Sequence, residues 1–386
     1  MTTFDQANYP RVCFLAGTLE HGGAERQLFY MLQALCQQGR PVPRVLCLDR
    51  GQFWEGRIKS LGVPVTWVGQ SQSRLARLVR IIRELRLDPP DLLQSQHFFA
   101  NAYVGLAGFL LGLNAIGAMR NEGEVEMRSN GMIGGWLNLH LPPIIAANSR
   151  LAIDQAVARG IPRSRLHFLP NVVDTRRFKP NGALAAERPL TLLAVGRLAK
   201  QKRFDRFISA LGRVRNELGF EVRGWIAGPS QDCELRDELE AQAAQLGLLP
   251  QGLQFLGGVS DMSPLYQQAD LCVLTSDFEG TPNALLEAMG SGLPVVATKV
   301  GGVPDIVQHG RTGFVVDRGD LDGLVAALVE LARNSALRKE MGLLAREYVE
   351  EHHSLERLPY YLNSLYNLVL PARKAWKLGV AQGTAA

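Results

Sequence analysis

The sequence is poor in cysteine, and its few cysteines show no spacing that would join them. Five occur among 386 residues, and none belongs to a Cys-x-x-Cys or Cys-x-x-x-His pair. Cys13, Cys47 and Cys272 lie inside apolar runs, which predicts buried free thiols in a reducing compartment. An odd number without metal-ligand spacing argues against a disulfide framework and against a structural zinc site.

Long hydrophobic segments are also lacking. Residues 1–10 are polar and include Asp5, so no secretory signal is indicated and a cytoplasmic location is expected. The 18 residues 102–119 carry no charge but include four glycines. That composition predicts a buried helix, a turn and a strand rather than a transmembrane span.

Neither hydropathy nor net charge is extreme for the chain as a whole. Hydrophobic residues make up 46% and charged residues 20%, which excludes a disordered or fibrous protein. Residues 1–180 carry 21 Lys and Arg against 13 Asp and Glu, whereas residues 181–386 carry 21 against 24. The basic half predicts an anionic partner, such as a phosphorylated substrate or a membrane surface. No nucleic-acid partner is expected, because no basic run is interleaved with aromatic residues.

Short apolar runs alternate with helical patterns along most of the chain, which indicates α/β domains whose parallel sheets are covered on both faces. Strands are expected at residues 12–16, 42–48, 63–68, 91–93, 115–119, 144–147, 190–195, 221–227, 253–255, 271–274, 294–297 and 313–316. Helices are expected at residues 24–37, 73–87, 204–218, 234–246 and 321–332.

A break in this pattern divides the chain. Pro, Asn and Gly cluster in residues 170–189, after which a new strand begins. Because the chain is also too long for one hydrophobic core, two doubly wound domains are predicted, at residues 1–172 and 173–354. The helical segment 355–378 either ends the second domain or crosses back to cap the first.

A glycine-rich loop follows the first expected strand. Gly22 and Gly23 open the first helix, where backbone N–H groups can approach a phosphate or a sugar. The loop lacks the lysine of a phosphate-binding P-loop and the glycine pattern of a dinucleotide site. A turn without a ligand stays open as the alternative.

Two cations occupy the equivalent position of the second domain. Arg197 and Lys202 follow the strand at residues 190–195 and precede a helix. Cations at a helix start oppose the helix dipole, which favours a role in binding a diphosphate over simple exposure to solvent. Solvated surface cations stay open as the alternative.

A carboxylate pair follows the strand at residues 271–274. Thr281 is expected to cap a helix that starts at Pro282, so that Glu279 lies in the loop and Glu287 lies inside the helix. The amides of Asn283 and Ala284 would then face the same pocket and favour an anion. For Glu279 alone, a surface loop carboxylate is the simpler interpretation.

Together these residues resemble the GT4-type family of retaining glycosyltransferases, which has the GT-B fold of two Rossmann-like domains facing across a cleft. The resemblance lies in Glu279-x7-Glu287, the Gly22-Gly23 loop, Arg197 and Lys202. It extends to residues 170–174, 287–297, 301–305 and 310–313. It covers most of the chain, and the ordered set is specific although each element is weak.

The resemblance implies a role for each charged residue. Arg197 and Lys202 would hold the diphosphate of a nucleotide-sugar donor. Glu287 would bind the ribose hydroxyls, and Glu279 would bind the hydroxyls of the donor sugar.

It also implies contacts from the backbone. Gly22 and Gly23 would approach the donor sugar or its phosphate. Further diphosphate contacts would come from the amides of Asn283, Ala284 and Leu285.

Two positions depart from the family pattern. The family often has His after the fourth strand of the first domain, where Gln94 and Gln96 stand here. His97 is then the candidate catalytic residue of that segment. Asp305 stands where Glu is common, which we interpret as a neutral change.

The function implied is a retaining, metal-independent glycosyltransferase of the hexosyltransferase type. It would move a sugar, UDP-linked, to a glycan or lipid-linked acceptor in polysaccharide or glycoconjugate synthesis. No cofactor is expected, since Asp320-Leu-Asp322 precedes a helix and Asp320 makes a good N-cap rather than a metal ligand. The alternatives are a nucleotide-sugar epimerase, a glycosyl phosphorylase or a non-catalytic nucleotide-sugar-binding protein.

One helix of the basic domain carries arginine at every third position. Its arginines are interleaved with Leu, Val and Ile and are Arg74, Arg77, Arg80, Arg83 and Arg86. The pattern fits peripheral attachment to an anionic membrane leaflet. It fits equally a Rossmann helix whose arginine face is solvated.

Overall fold

A computed structural model describes residues 9–36, 40–180, 188–230 and 232–370. The chain divides into two units, one of them built from residues up to Asn171 together with those from Glu356 onward. The second unit comprises Val172–Leu355. Each boundary lies one residue from the position expected. Residue 37 of the first expected helix, residues 181–187 of the expected break and residues 371–378 of the last expected helix lie outside the described residues.

The first unit contains a seven-stranded sheet in the order β3-β2-β1-β4-β5-β6-β7, and every neighbouring pair is parallel. Its strands are β1 Val12–Ala16, β2 Arg44–Cys47, β3 Val65–Trp67, β4 Leu92–Ser95, β5 Asn114–Met119, β6 Ile144–Ala147 and β7 Leu166–Phe168. Its helices are α1 Gly23–Leu35, α2 Phe53–Ser60, α3 Arg74–Leu87, α4 Asn101–Leu111, α5 Gly123–Ser129, α6 Met132–His140 and α7 Arg150–Ala158.

The second unit contains a six-stranded parallel sheet in the order β10-β9-β8-β11-β12-β13. Its strands are β8 Leu190–Val195, β9 Val222–Ala227, β10 Leu253–Gly257, β11 Leu271–Leu274, β12 Val295–Thr298 and β13 Gly313–Val316. Its helices are α8 Phe204–Glu217, α9 Cys233–Gln245, α10 Ser263–Gln268, α11 Asn283–Gly290, α12 Val303–Ile306, α13 Leu321–Arg333 and α14 Ser335–His352.

The chain ends its described course on the first unit. A 3-10 helix, Leu355–Arg357, leads into α15, Leu358–Tyr366. The buried Tyr366 hydroxyl donates to Gln94 Oε1 at 2.7 Å. The segment expected at residues 355–378 therefore packs on the first unit as far as it is described.

The two sheets share one topological feature. In each, the strand order reverses between the first and the fourth strand, which are β1 and β4 in one unit and β8 and β11 in the other. Ligands of doubly wound sheets bind at the carboxyl ends of the strands at such switch points. The predicted fold class, α/β with two parallel sheets, is confirmed.

Local predictions have mixed outcomes. All twelve expected strands are present, and β7 is an additional one among the described residues. The uncharged stretch forms α4, a left-handed turn at Gly112 (φ +64°) and β5, as expected. None of the helices in the described ranges is long and apolar enough to cross a membrane.

The predictions for the thiols are confirmed. Cys13, Cys47 and Cys272 are buried, and burial raises the pKa of each to about 12. All five cysteines are free. Such thiols are too rarely ionised to act as nucleophiles.

Candidate active site

The switch point of the second unit brings together two residues that are far apart in sequence. Lys202 follows β8 and Glu279 follows β11. Lys202 Nζ lies 2.5 Å from Glu279 Oε1, and Ser276 Oγ donates to the same oxygen at 2.6 Å. Glu279 is buried, so the sequence-based alternative of a surface loop carboxylate is wrong. Burial is tolerated because a cation and a hydroxyl both contact this carboxylate.

Hydrogen bonds between the two loops fix this ion pair. Thr275 Oγ1 donates to the carbonyl oxygens of Lys202 and Arg203, both at 2.9 Å. Gln201 Nε2 donates to Phe278 O at 2.6 Å. The Lys202 and Glu279 side chains are thus held by backbone that is itself bonded across the switch point.

Glu287 lies inside α11, as expected. It is buried, and the fully buried Tyr266 donates its hydroxyl to Glu287 Oε2 at 3.0 Å. Tyr266 therefore restricts the Glu287 side chain to one rotamer. The ribose contact of Glu287 stays a prediction.

The start of α11 differs from the expectation. The helix begins at Asn283, and Pro282 is its N-cap in an extended conformation (ψ 111°), so Thr281 is not the capping residue. The Leu285 amide donates to Pro282 O at 3.1 Å. It is therefore not available for a diphosphate, and the prediction for that amide is wrong. Asn283 and Ala284 precede the first intrahelical bond, as the prediction requires.

A second glycine pair packs against the loop of Glu279. Gly301 has φ +49°, and a Cβ there would lie 2.0 Å from the Glu279 carbonyl oxygen. The Gly302 amide donates to Gly280 O at 2.6 Å. Only glycine fits at position 301, because any side chain would push the Glu279 backbone away.

Arg197 contrasts with Lys202. It is exposed, and its guanidinium has no ion-pair partner among the residues described. It follows β8 by two residues and lies near the same switch point in sequence. Its diphosphate contact stays a prediction.

The first unit has a pair of its own at its switch point. The Gly17 amide, just after β1, donates to His97 Nδ1 at 3.1 Å. His97 Nε2 lies 3.1 Å from Glu25 Oε1, and Thr18 Oγ1 donates to that oxygen at 2.7 Å. Burial raises the pKa of Glu25, but hydrogen bonds from His97 and Thr18 outweigh it, so the pKa is below its usual value. Glu25 is therefore a carboxylate at neutral pH.

The other candidates of the first unit lie close to this pair. Gly22 is the N-cap of α1 and Gly23 its first residue. Gln94 and Gln96 are buried, and Gln96 Nε2 donates to Ala24 O at 2.5 Å. Both glutamine side chains are thus bonded within the unit, and His97 is the less buried side chain of the segment.

The Asp320-Leu-Asp322 segment has structural contacts. Asp320 accepts from the Gly323 amide at 2.8 Å as the N-cap of α13, which confirms the prediction for that residue. Asp322 pairs with Arg213 at 2.6 Å. In the described ranges, no three His, Cys, Asp or Glu side chains form a group that could hold a metal ion.

Comparison with known proteins agrees with this arrangement. Residues 21–177 match the family model of Glycosyltransferase Family 4, and residues 189–334 match that of Glycosyl transferases group 1. The lipopolysaccharide core biosynthesis glycosyltransferase LpsE of Rhizobium meliloti is 29% identical over 87% of this chain and 93% of its own length. HepE of Anabaena, solved with UDP and glucose, superimposes with a TM-score of 0.80 and 18% identity over 93% of this chain and all of that chain.

A third relative matches over a shorter region. It is the GDP-mannose-dependent α-(1-6)-phosphatidylinositol monomannoside mannosyltransferase of Mycobacterium tuberculosis, 32% identical over 49% of this chain and 52% of its own. The chain spans about half to three fifths of the length of several curated relatives that it matches.

Two parallel-sheet Rossmann-like units, each with a charged pair at its switch point, define a protein of the GT-B fold. The chain belongs to the GT4-type family of glycosyltransferases.

Proposed function

We propose that this protein is a retaining, metal-independent glycosyltransferase. It transfers a sugar from a UDP-linked donor to a glycan or lipid-linked acceptor in polysaccharide or glycoconjugate synthesis. The observation that carries the proposal is the buried Lys202–Glu279 pair at the switch point of the second unit.

The electrostatics of this pair suit departure of a diphosphate. As the bond between the sugar C1 and the diphosphate oxygen breaks, negative charge develops on the diphosphate. A preorganised ammonium group stabilises that charge without a metal ion, and Lys202 is held in place by Glu279 and by the loop bonds of Thr275. Arg197, exposed and two residues beyond β8, adds a second cation.

The acceptor proton has a different destination. The new bond from C1 to the acceptor oxygen forms on the face that the diphosphate leaves, and the hydroxyl proton passes to a leaving phosphate oxygen. His97 is a poor general base, because the Gly17 amide occupies Nδ1 and Glu25 occupies Nε2. His97 is proposed to contact the reacting sugar instead.

Named relatives support the class of substrate. HepE was solved with UDP-glucose as well as with UDP, whereas the mycobacterial mannosyltransferase is GDP-mannose-dependent. LpsE acts in lipopolysaccharide core biosynthesis. These names support a nucleotide-sugar donor and a glycoconjugate acceptor, and they leave UDP and GDP as the two bases to compare.

The donor is identified by thermal stabilisation with UDP-, GDP-, ADP- and dTDP-linked sugars. A donor at one hundred times its Kd raises the free energy of unfolding by about 2.7 kcal/mol, so we expect a UDP-sugar to raise Tm most. Stabilisation by a GDP-sugar alone would overturn the choice of base. No stabilisation by any nucleotide sugar would overturn the proposed function.

The reaction type is read from the products. NMR of the new linkage should show the anomeric configuration of the donor, and an inverted linkage would refute retention. Conversion of the donor to an epimer, or release of a sugar phosphate in phosphate buffer, would favour the epimerase or phosphorylase alternative.

Helix α3 supports peripheral attachment to an anionic membrane. Arg74, Arg80, Arg83 and Arg86 are exposed on it, whereas Arg77 is half-buried and donates to Ser71 O at 2.6 Å. The same helix exposes three apolar side chains, with exposed fractions of 70% for Leu75, 59% for Val79 and 72% for Leu87. Arginines around exposed apolar side chains are typical of helices that lie in a membrane interface.

Co-sedimentation with vesicles tests this surface. Each basic residue near an anionic surface contributes about 1 kcal/mol, so changing Arg80, Arg83 and Arg86 to Gln should weaken binding by roughly 100-fold. The matched control changes three exposed arginines elsewhere, Arg176, Arg213 and Arg333. Equal loss of binding in both triple variants, or no loss in either, would leave α3 as a solvated helix.

A further inference from the structure

Glu25 is a buried acid to which the proposed transfer chemistry gives no role. It is the third residue of α1, and only 6% of its surface is exposed. Two side-chain donors, Thr18 Oγ1 and His97 Nε2, lie on the same oxygen, Oε1. A carboxylate at that depth needs such donors, and one of them is the candidate catalytic histidine.

The contacts of His97 determine where its proton lies. A backbone amide can only donate, so Nδ1 accepts from Gly17 and carries no proton in the neutral ring. The proton is then on Nε2, where it is donated to Glu25. A backbone amide on one side and a carboxylate on the other therefore select one tautomer and one ring orientation.

Gly22 leaves the space that the Glu25 carboxylate occupies. A Cβ at position 22 would lie 2.2 Å from Glu25 Oε2. The backbone of Gly22 has φ −132°, which any residue adopts, so the glycine is required for space and not for conformation. The first glycine of the Gly22-Gly23 pair thus serves the Glu25–His97 contact.

We propose that Glu25 is a positioning residue, which holds His97 as the Nε2–H tautomer in the orientation needed at the transferred sugar. The proposal rests on the proposed function, because it takes His97 to contact that sugar. It also assigns Gly22 a supporting role that is separate from any contact with the donor.

Kinetics of Glu25→Ala test the positioning role. Removing a residue that orients another group typically costs 10- to 100-fold, so kcat should fall by about that factor while the donor KM changes little. Glu25→Gln keeps an oxygen that can accept from His97 and should restore most of kcat. Glu20→Ala is the matched control, since Glu20 is an exposed acid of the same loop.

A second measurement does not depend on turnover. The side-chain ¹⁵N NMR signals of His97 should show one protonated and one accepting nitrogen in the wild type. In Glu25→Ala the ring loses its Nε2 partner, so exchange between tautomers is expected. Gly22→Ala should give the same spectrum and the same loss of kcat, because the new methyl group displaces the carboxylate.

The outcomes separate this proposal from the proposed function. A wild-type spectrum of His97 in Glu25→Ala would overturn the positioning role, whether or not kcat falls. Wild-type kcat in both Glu25→Ala and Gly22→Ala would overturn it as well. If the wild type transfers no sugar but shows the single tautomer that Glu25→Ala loses, the proposed function fails and the contact stands.

Discussion

The two switch points of the molecule each hold a buried glutamate against a basic side chain, but the bases differ. In the second unit Glu279 lies 2.5 Å from the ammonium group of Lys202. In the first unit Glu25 lies 3.1 Å from an imidazole that also accepts from a backbone amide. The same topology therefore positions a point charge in one unit and an uncharged ring in the other.

This difference teaches how the two units can divide one reaction. An ammonium group can answer charge that develops on a leaving diphosphate. A neutral imidazole held on both sides can orient a hydroxyl but takes no proton unless it gives up a contact. Removing each base should accordingly give a different kinetic defect.

The largest effect is expected for Lys202→Ala. The loss of one preorganised electrostatic donor costs on the order of 10²–10³ in kcat. It also leaves Glu279 buried without its cation, so Tm should fall too. Lys339, exposed on α14, provides the control Lys339→Ala with wild-type kcat. A Lys202→Ala enzyme with altered donor KM and normal kcat would contradict the role in charge stabilisation.

Glu287 sharpens the comparison within the second unit, because it is expected to contact ribose far from the breaking bond. Glu287→Ala should raise the donor KM by about 1.5–3 kcal/mol, or roughly 10- to 100-fold, with little change in kcat. Glu287→Gln keeps an acceptor for the Tyr266 hydroxyl and should retain more stability. A loss confined to kcat would show that the donor lies elsewhere.

A third buried carboxylate, Glu126 on α5, tests the role of partners by their scarcity. Its Oε1 accepts from the Arg120 amide at 3.0 Å, whereas its buried Oε2 has no hydrogen-bond partner among the residues described. Burial raises the pKa of Glu126 to about 8, although two backbone amides and Arg120 lower it in part. Glu25, which has two donors on one oxygen, has a lowered pKa instead.

The pH dependence of stability follows from that raised pKa. Between about 4.5, the ordinary pKa of a Glu side chain, and about 8, the folded state holds a proton that the unfolded state has lost. Stability from this group is therefore present at low pH and declines as pH rises to about 8. Relative to the wild type, Glu126→Gln should gain Tm from pH 5 to pH 8 and no further above it. Glu124→Gln, exposed on the same helix, should follow the wild type, and parallel curves for all three would contradict the assignment.

Much of the fold was predictable because parallel strands are buried on both faces and appear as short apolar runs. The missed strand, β7, has three residues with His167 at its centre and lies at the edge of the sheet. Such a strand lacks the apolar run by which the others are recognised. The start of α11 was misplaced because Thr-Pro fits a cap and a first turn, whereas Pro282 stays extended here.

The site was predictable as residues but not as contacts. The expected Lys202, Glu279 and His97 all lie at switch points, since they follow strands. Ser276, Tyr266 and Glu25, which bond to Glu279, Glu287 and His97, have no spacing that marks them. Only Glu25 had a local signal, its place three residues after Gly22 at the start of a helix.

The most direct test is the effect of chelation on turnover of the wild type and of Lys202→Ala, measured with the donor that the stabilisation assay identifies. If Lys202 and Arg197 serve in place of a divalent cation, the wild type keeps its kcat in EDTA, and neither Mg²⁺ nor Mn²⁺ restores Lys202→Ala. Loss of wild-type activity in EDTA, with recovery on adding Mg²⁺ or Mn²⁺, would contradict a transfer driven by the charged pair of the second unit.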